Sequence, residues 1–156
     1  MRRENLTQQQ SSGLVLALTQ IDSDYFTGMY TSPRMKEIFC DEARFQAWLD
    51  VEAALARAQA RLNLIPKEAA KKITKAATID NIDIAAMTEH FKASGFPVVP
   101  IVKQLENTLD IETRRYLHWG STTQDITDTG NALMLKTGLA HFDQTLTSVR
   151  KNTAIR

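Results

Sequence analysis

Ala132, Leu135, Leu139, Phe142, Leu146 and Val149 step along the chain by three, four, three, four and three residues. An apolar row alternating in this way is a heptad seam, narrower than the stripe of a helix resting on a globular core. It predicts one long helix, from about Thr123 to Lys151, packed lengthwise against other long helices. No later helix before Arg156 would complete such a bundle. The seam therefore needs cover from partner chains or further sequence, or from a helix over Phe45 to Leu62 folding back onto it. Left bare, it would be an aggregation-prone patch. Gly130 and Gly138 lie inside this helix, each costing up to about 1 kcal/mol against alanine. Either a small residue is wanted there for a close helix approach, or the cost is tolerated.

The rest of the chain also reads as helix, so the expected fold class is all-α. Only six glycines and four prolines occur, and no apolar–polar alternation is long enough for a strand. Ser32-Pro33 reads as an N-cap followed by proline at the first helical position. A second helix starts at Asp41. In it Phe45, Trp48, Leu49, Glu52, Leu55, Ala56, Gln59 and Leu62 share one mostly apolar face. Asn63 and Pro66 stop it. Short helices follow over Pro66 to Ala77 and Asp83 to Ser94, the latter closed by Gly95. Phe96 to Pro100 reads as an extended linker, because each proline pushes its predecessor out of the helical region. Further helices are expected over about Pro100 to Leu109 and Glu112 to Leu117.

At 156 residues the chain has room for a single hydrophobic core. A net charge of +1 argues against nucleic acid or an anionic membrane surface as partner. The apolar run Leu14 to Leu18 is too short to span a membrane, and the polar Gln8 to Ser12 stretch does not fit a signal peptide. Residues 1–20 read as a loosely ordered polar arm. The one cysteine, Cys40, forms no internal disulfide and reads as a small buried hydrophobe, which suits a cytoplasmic protein.

One segment carries chemistry. Ser121-Thr122-Thr123-Gln124-Asp125 lies where the long helix begins. Both Thr122 to Asp125 and Ser121 to Gln124 fit a capping box, leaving the register open by one residue. In either register hydroxyls and free backbone N–H groups converge at the positive end of a long helix, a setting that holds a carboxylate well. His118 can add a donor, and Gly120 permits close backbone approach. On pattern alone the segment reads equally as an ordinary helix cap. His90 and His141 read as solvated surface residues. No metal site and no cofactor are indicated.

His118-Trp119-Gly120-Ser121-Thr122-Thr123-Gln124-Asp125-Ile126-Thr127-Asp128-Thr129 resembles the first signature region of the fumarase/aspartase superfamily. Tyr30 to Met35, Ile38-Phe39 and Trp48 to Ala56 resemble the opening helices of the same enzymes, so the likeness runs from about Ile21 to Val149. Gly95 to Leu105 looks more like the 3-carboxy-cis,cis-muconate cycloisomerase branch than the adenylosuccinate lyase branch, which usually carries a histidine-aspartate pair there. The family generally has Thr-Ser where this chain has Thr122-Thr123, which keeps the hydroxyl and adds a methyl group.

The resemblance implies proton abstraction beside a carboxylate, then loss of a group from the adjacent carbon, or the related lactone-forming addition. It implies that His118, Ser121, Thr122, Thr123, Gln124 and Asp125 bind a small polycarboxylate. Thr122 and Thr123 would hold the carboxylate, His118 would assist, and Gln124 and Asp125 would order the turn. Family members carry two later signatures, a histidine in a Gly-Arg-Thr/Ser setting and a mobile Gly-Ser-Ser loop, and neither occurs between Gly130 and Arg156. They assemble each site from three subunits of a tetramer. The expectation is therefore a truncated N-terminal portion, inactive alone and self-associating through long helices. It would comprise an arm at 1–20, an N-terminal helical domain at 21–120 and the start of the central bundle at 121–156. A non-catalytic helical interaction module is the competing reading.

Overall fold

The computed structural model describes residues 25–154. The polar arm at 1–20 lies outside these residues. Among them there are eight α-helices, one short 3-10 turn at Ile79–Asn81 and no strand. The all-α expectation holds. None of the helices is long and apolar enough to cross a membrane.

The chain divides into one unit ending at Lys36 and another from Glu37 to Arg156. In the first, α1 (Thr27–Tyr30) begins where the N–H groups of Met29 and Tyr30 donate to the Phe26 carbonyl. Next, α2 (Pro33–Phe39) starts at the anticipated cap, Met35 N–H donating to Ser32 Oγ at 3.2 Å.

The second unit is organised around α3 (Asp41–Arg61). Asp41 and Glu42 complement its dipole at the start. Its end is a Schellman turn, in which Leu64 N–H donates to Gln59 O and Asn63 N–H to Ala60 O. Asn63 takes the left-handed φ of 57° that this turn needs. Leu49 and Ala56 are buried, while Leu62 lies beyond the last turn, exposed. Burial wraps further round α3 than one face, taking in Val51, Ala53 and Ala60, because α3 packs against several other helices.

One of these is α4 (Lys67–Ala76), whose Ala69, Ala70 and Ile73 are buried. The small alanines let the two helices approach closely. After the 3-10 turn comes α5 (Ile84–Ser94), closed by left-handed Gly95 as the sequence predicts and capped at its start by the Asp83 side chain on Ala86 N–H. The expected extended linker is shorter than anticipated. Helix α6 (Val98–Asn107) already includes Val99 and Pro100. Pro100 is third in the helix, where its missing N–H would have had no intrahelical partner anyway. Helix α7 (Ile111–Arg114) is one turn long, and residues 115–120 continue as turns.

The last helix, α8 (Thr123–Ala154), is the long helix foreseen. Helix α3 does fold back onto it, but not over the seam. The buried residues of α8 are Ile126, Gly130, Met134 and Gly138, a row spaced every four residues. Such a row winds slowly round the helix and suits the crossing of ridges from a single neighbour. An added Cβ at Gly130 would lie 2.6 Å from Trp48 Cδ1, and one at Gly138 would lie 2.9 Å from Phe39 Cζ. Close approach, rather than tolerated cost, is therefore the reason for both glycines. The seam residues Leu135, Leu139, Phe142, Leu146 and Val149 are all more than half exposed.

Candidate functional site

The start of α8 settles the register of the cap. Thr122 is the residue before the first helical position, and its N–H donates to Asp125 Oδ2 at 2.8 Å. The box is Thr122 to Asp125, with the carboxylate three positions into the helix reaching back to the cap. The helix start thus already holds one carboxylate, its own. The alternative partner, Gln124, turns along the helix, its Nε2 donating to Asp128 Oδ1 at 2.6 Å. Ile126 N–H reaches the Thr122 carbonyl at 3.4 Å, and Ile126 itself is anchored in the core.

The turn before the helix is bent by two residues in the left-handed region, His118 (φ 54°) and Gly120 (φ 74°). Glycine adopts this conformation freely, whereas histidine does so at a cost that the surroundings must offset. Two side chains from α3 do so. Gln59 Nε2 donates to the Trp119 carbonyl at 2.6 Å. Glu52 Oε1 lies 2.5 Å from His118 Nδ1. Glu52 and Gln59 are seven residues apart, two helical turns, so both lie on the face of α3 that meets this turn.

Glu52 is buried, its side chain 1% exposed, while His118 keeps 24%. The hydrogen bond to Glu52 holds the His118 pKa above the ordinary imidazole value; burial opposes this, and the charges of Glu52, Asp125 and Glu106 add to it. Ser121 Oγ lies 3.3 Å from the same Nδ1 and also donates to the His118 carbonyl at 3.3 Å. His118, Ser121, Thr122 and Asp125 are thus brought together at one helix end. Thr123 stands at the first position of the helix, half-buried, and Gln124 is exposed beside it.

Glu52 and Gln59 are the site-forming residues that the helical pattern alone passes over. Both sit on the apolar face of α3 inferred from spacing, and that was their signal. A carboxylate predicted to face a core must find a partner, because an unpaired buried charge is costly.

The positive end of the helix dipole, the hydroxyl-bearing residues Ser121, Thr122 and Thr123, and the His118 ring lie together at this helix start. The first-turn N–H groups have no partner within the helix.

The lyase family profile matches residues 28–153. The 3-carboxy-cis,cis-muconate cycloisomerase of Pseudomonas putida is 39% identical over 117 residues, 73% of this chain and 28% of that protein. The adenylosuccinate lyase of Methanocaldococcus jannaschii is 35% identical over 139 residues, 89% of this chain and 29% of that protein. The crystal structure of a fumarate lyase from Mesorhizobium sp. BNC1 superposes with a TM-score of 0.71 at 41% identity, covering 76% of this chain and 28% of that one. The chain spans less than a third of the length of each.

Proposed function

The chain belongs to the lyases of the fumarase/aspartase superfamily, and from that premise we propose that its α8 start is the carboxylate-binding part of an active site for a small polycarboxylate. The observation that carries this reading is the joint placement of His118 and Ser121 beside Thr122 at the N-terminus of a 32-residue helix. Thr122 holds the carboxylate through its hydroxyl and Thr123 through its hydroxyl and backbone N–H, His118 donates to it, and Asp125, bonded to the Thr122 N–H, keeps the turn in register. Gln124 braces the first turns through Asp128.

In this reading a base removes the proton next to the bound carboxylate, and the electron pair left behind delocalises onto that carboxylate. Donors aimed at the carboxylate gain strength as its charge grows, so they lower the barrier as well as bind. The bond to the group on the adjacent carbon then breaks; the cycloisomerase reaction is the related addition. The branch favoured is the cycloisomerase, on the strength of Gly95 to Leu105, with adenylosuccinate lyase chemistry as the alternative. The names of the relatives share carboxylate-bearing compounds, which supports the class of ligand.

Turnover requires further groups, the histidine and serine signatures absent between Gly130 and Arg156, and subunits joined along the exposed α8 seam, in the cytoplasm. The bare seam also favours a second reading, a helical interaction module without catalysis.

Calorimetric titration of the chain with 3-carboxy-cis,cis-muconate and with adenylosuccinate tests the proposal. Binding without turnover is expected, with roughly a tenfold loss in a Thr122→Val, Thr123→Val double variant, the scale of a lost hydrogen bond to a charged group. Absence of binding to either compound would leave only the interaction module.

A further inference from the structure

We propose that Glu52 is the positioning residue of this site: it holds the His118 ring by Nδ1, leaving Nε2–H as the one ring donor available to a substrate carboxylate. The inference rests on the carboxylate-binding reading of the α8 start.

Glu52 is an expensive residue to place where it is. Its side chain is 1% exposed, and a carboxylate removed from water is costly to ionise unless it is paired. Yet only one of its oxygens is satisfied. Oε1 meets His118 Nδ1 at 2.5 Å, whereas Oε2 is buried without a hydrogen-bond partner among the described residues. A carboxylate serving stability alone would be replaced at little cost by a leucine in this apolar helix face, which also carries buried Trp48, Leu49 and Ala56. What Glu52 does provide is an acceptor for one ring nitrogen of one histidine.

That acceptor fixes two properties. The bond at Nδ1 sets the orientation of the ring and leaves Nε2 as its open nitrogen, a donor in the protonated ring. The carboxylate beside it also favours the protonated form of the ring. The acidic groups acting on the ring come from three helices, Glu52 on α3, Glu106 on α6 and Asp125 on α8. Of these, Glu52, through the hydrogen bond it accepts, is the largest influence. The ring is braced from the chain side too, by Ser121 Oγ at 3.3 Å from Nδ1 and by Gln59 holding the next carbonyl, that of Trp119. A substrate carboxylate therefore meets a charged, oriented donor, and does not have to order it on arrival.

The test uses the full chain. Long-range nitrogen–proton NMR follows the His118 ring against pH in the native protein and in Glu52→Gln, which keeps shape and burial but removes the charge. Fumarate binding is measured across the same pH range. The native His118 should titrate above the ordinary imidazole value, and Glu52→Gln should bring its midpoint down. At pH 7.5 the variant should bind fumarate about tenfold more weakly, the scale of losing a charge-assisted hydrogen bond. At pH 5.5, where the ring protonates without help, the two affinities should converge.

Recovery at low pH is something a purely structural role would not produce. An equal loss at every pH, or a His118 midpoint unmoved by Glu52→Gln, would overturn the proposal. If Glu52→Gln does not fold, Glu52→Asp retains the charge and should keep the raised midpoint. A native His118 midpoint at or below the ordinary imidazole value would overturn the proposal without any variant. Failure of the native chain to bind fumarate, with the His118 midpoint still falling in Glu52→Gln, would instead sink the carboxylate-binding reading and leave the Glu52–His118 linkage standing.

Discussion

The indole of Trp48 occupies the space that a side chain at position 130 would need: a Cβ on Gly130 would lie 2.6 Å from Trp48 Cδ1 and 3.1 Å from Nε1. Trp48 is 5% exposed and packed among core residues, so it has little room to yield. Gly130→Ala should therefore destabilise the chain. Overpacking costs about 1–3 kcal/mol, against about 1 kcal/mol recovered in helix propensity. Gly138→Ala meets Phe39 at 2.9 Å, but that ring is 37% exposed and free to shift. It should be close to neutral. Urea unfolding of both variants checks the contrast, and equal effects would mean that the Trp48 contact is no tighter than the Phe39 one.

How much of this could be seen in the residues depends on range. The ends of α3, α5 and α8 were legible because local chemistry sets them: Asn63 in the left-handed region, Asp83 and Gly95 as caps, Thr122 and Asp125 as a box. The covered face of α8 was not. The heptad seam is the stronger hydrophobic signal, yet the packed row contains two glycines that any apolar count passes over. It becomes a contact face only because Trp48 and Phe39 arrive from distant sequence. Pro100 misled for a related reason, since the bias against a helix before proline weakens in the first turn of a helix. The site divides in the same way. His118 and Ser121 to Asp125 are contiguous and were visible as a segment, whereas Glu52 lies 66 residues away from His118 and shows itself only as a charge on a face that should have none.

The exposed seam should drive association. Leu139 is 66% exposed and Phe142 53%, and a contiguous apolar row on an isolated helix face is covered in a stable protein. Light scattering after size exclusion should find the native chain larger than a monomer. Leu139→Asp with Phe142→Asp should shift it to monomer while leaving its helical circular dichroism unchanged, because neither side chain belongs to the core. A native chain that is already monomeric would rule the seam out as an interface.

The Glu52–His118 pair also predicts how stability changes with pH. His118 has a folded pKa above its unfolded value, so the folded state holds the proton more tightly. The stabilisation is fully present below the unfolded value, about 6.5, and is lost as pH rises through the folded one. The urea midpoint of the native chain should fall across that window. His118→Asn, chosen because asparagine tolerates the left-handed backbone at this position, should show a flatter profile. A native profile as flat as that of the variant would mean that the pair contributes nothing to folding.

Acid should act through a different residue, Asp110. Its Oδ2 accepts from Lys72 Nζ at 2.8 Å, linking α4 to the start of α7, and its Oδ1 accepts from Thr113 N–H at 2.9 Å. The Thr113 hydroxyl adds a further hydrogen bond to each oxygen. The bond from Lys72, followed by those from Thr113, holds this carboxyl well below the usual carboxylate range. A depressed folded pKa reverses the sign found for His118. The stabilisation is present above the unfolded value of about 3.9 and disappears as pH falls toward the folded one. Asp110→Asn keeps an oxygen to cap Thr113 N–H but surrenders the ion pair. Its melting temperature should therefore lie below that of the native chain at pH 7, and the difference should close below pH 3. Because the Lys72 contact is at the surface, 0.5 M salt should shrink the gap at pH 7 as well. A gap indifferent to both pH and salt would assign the role of Asp110 to helix capping alone.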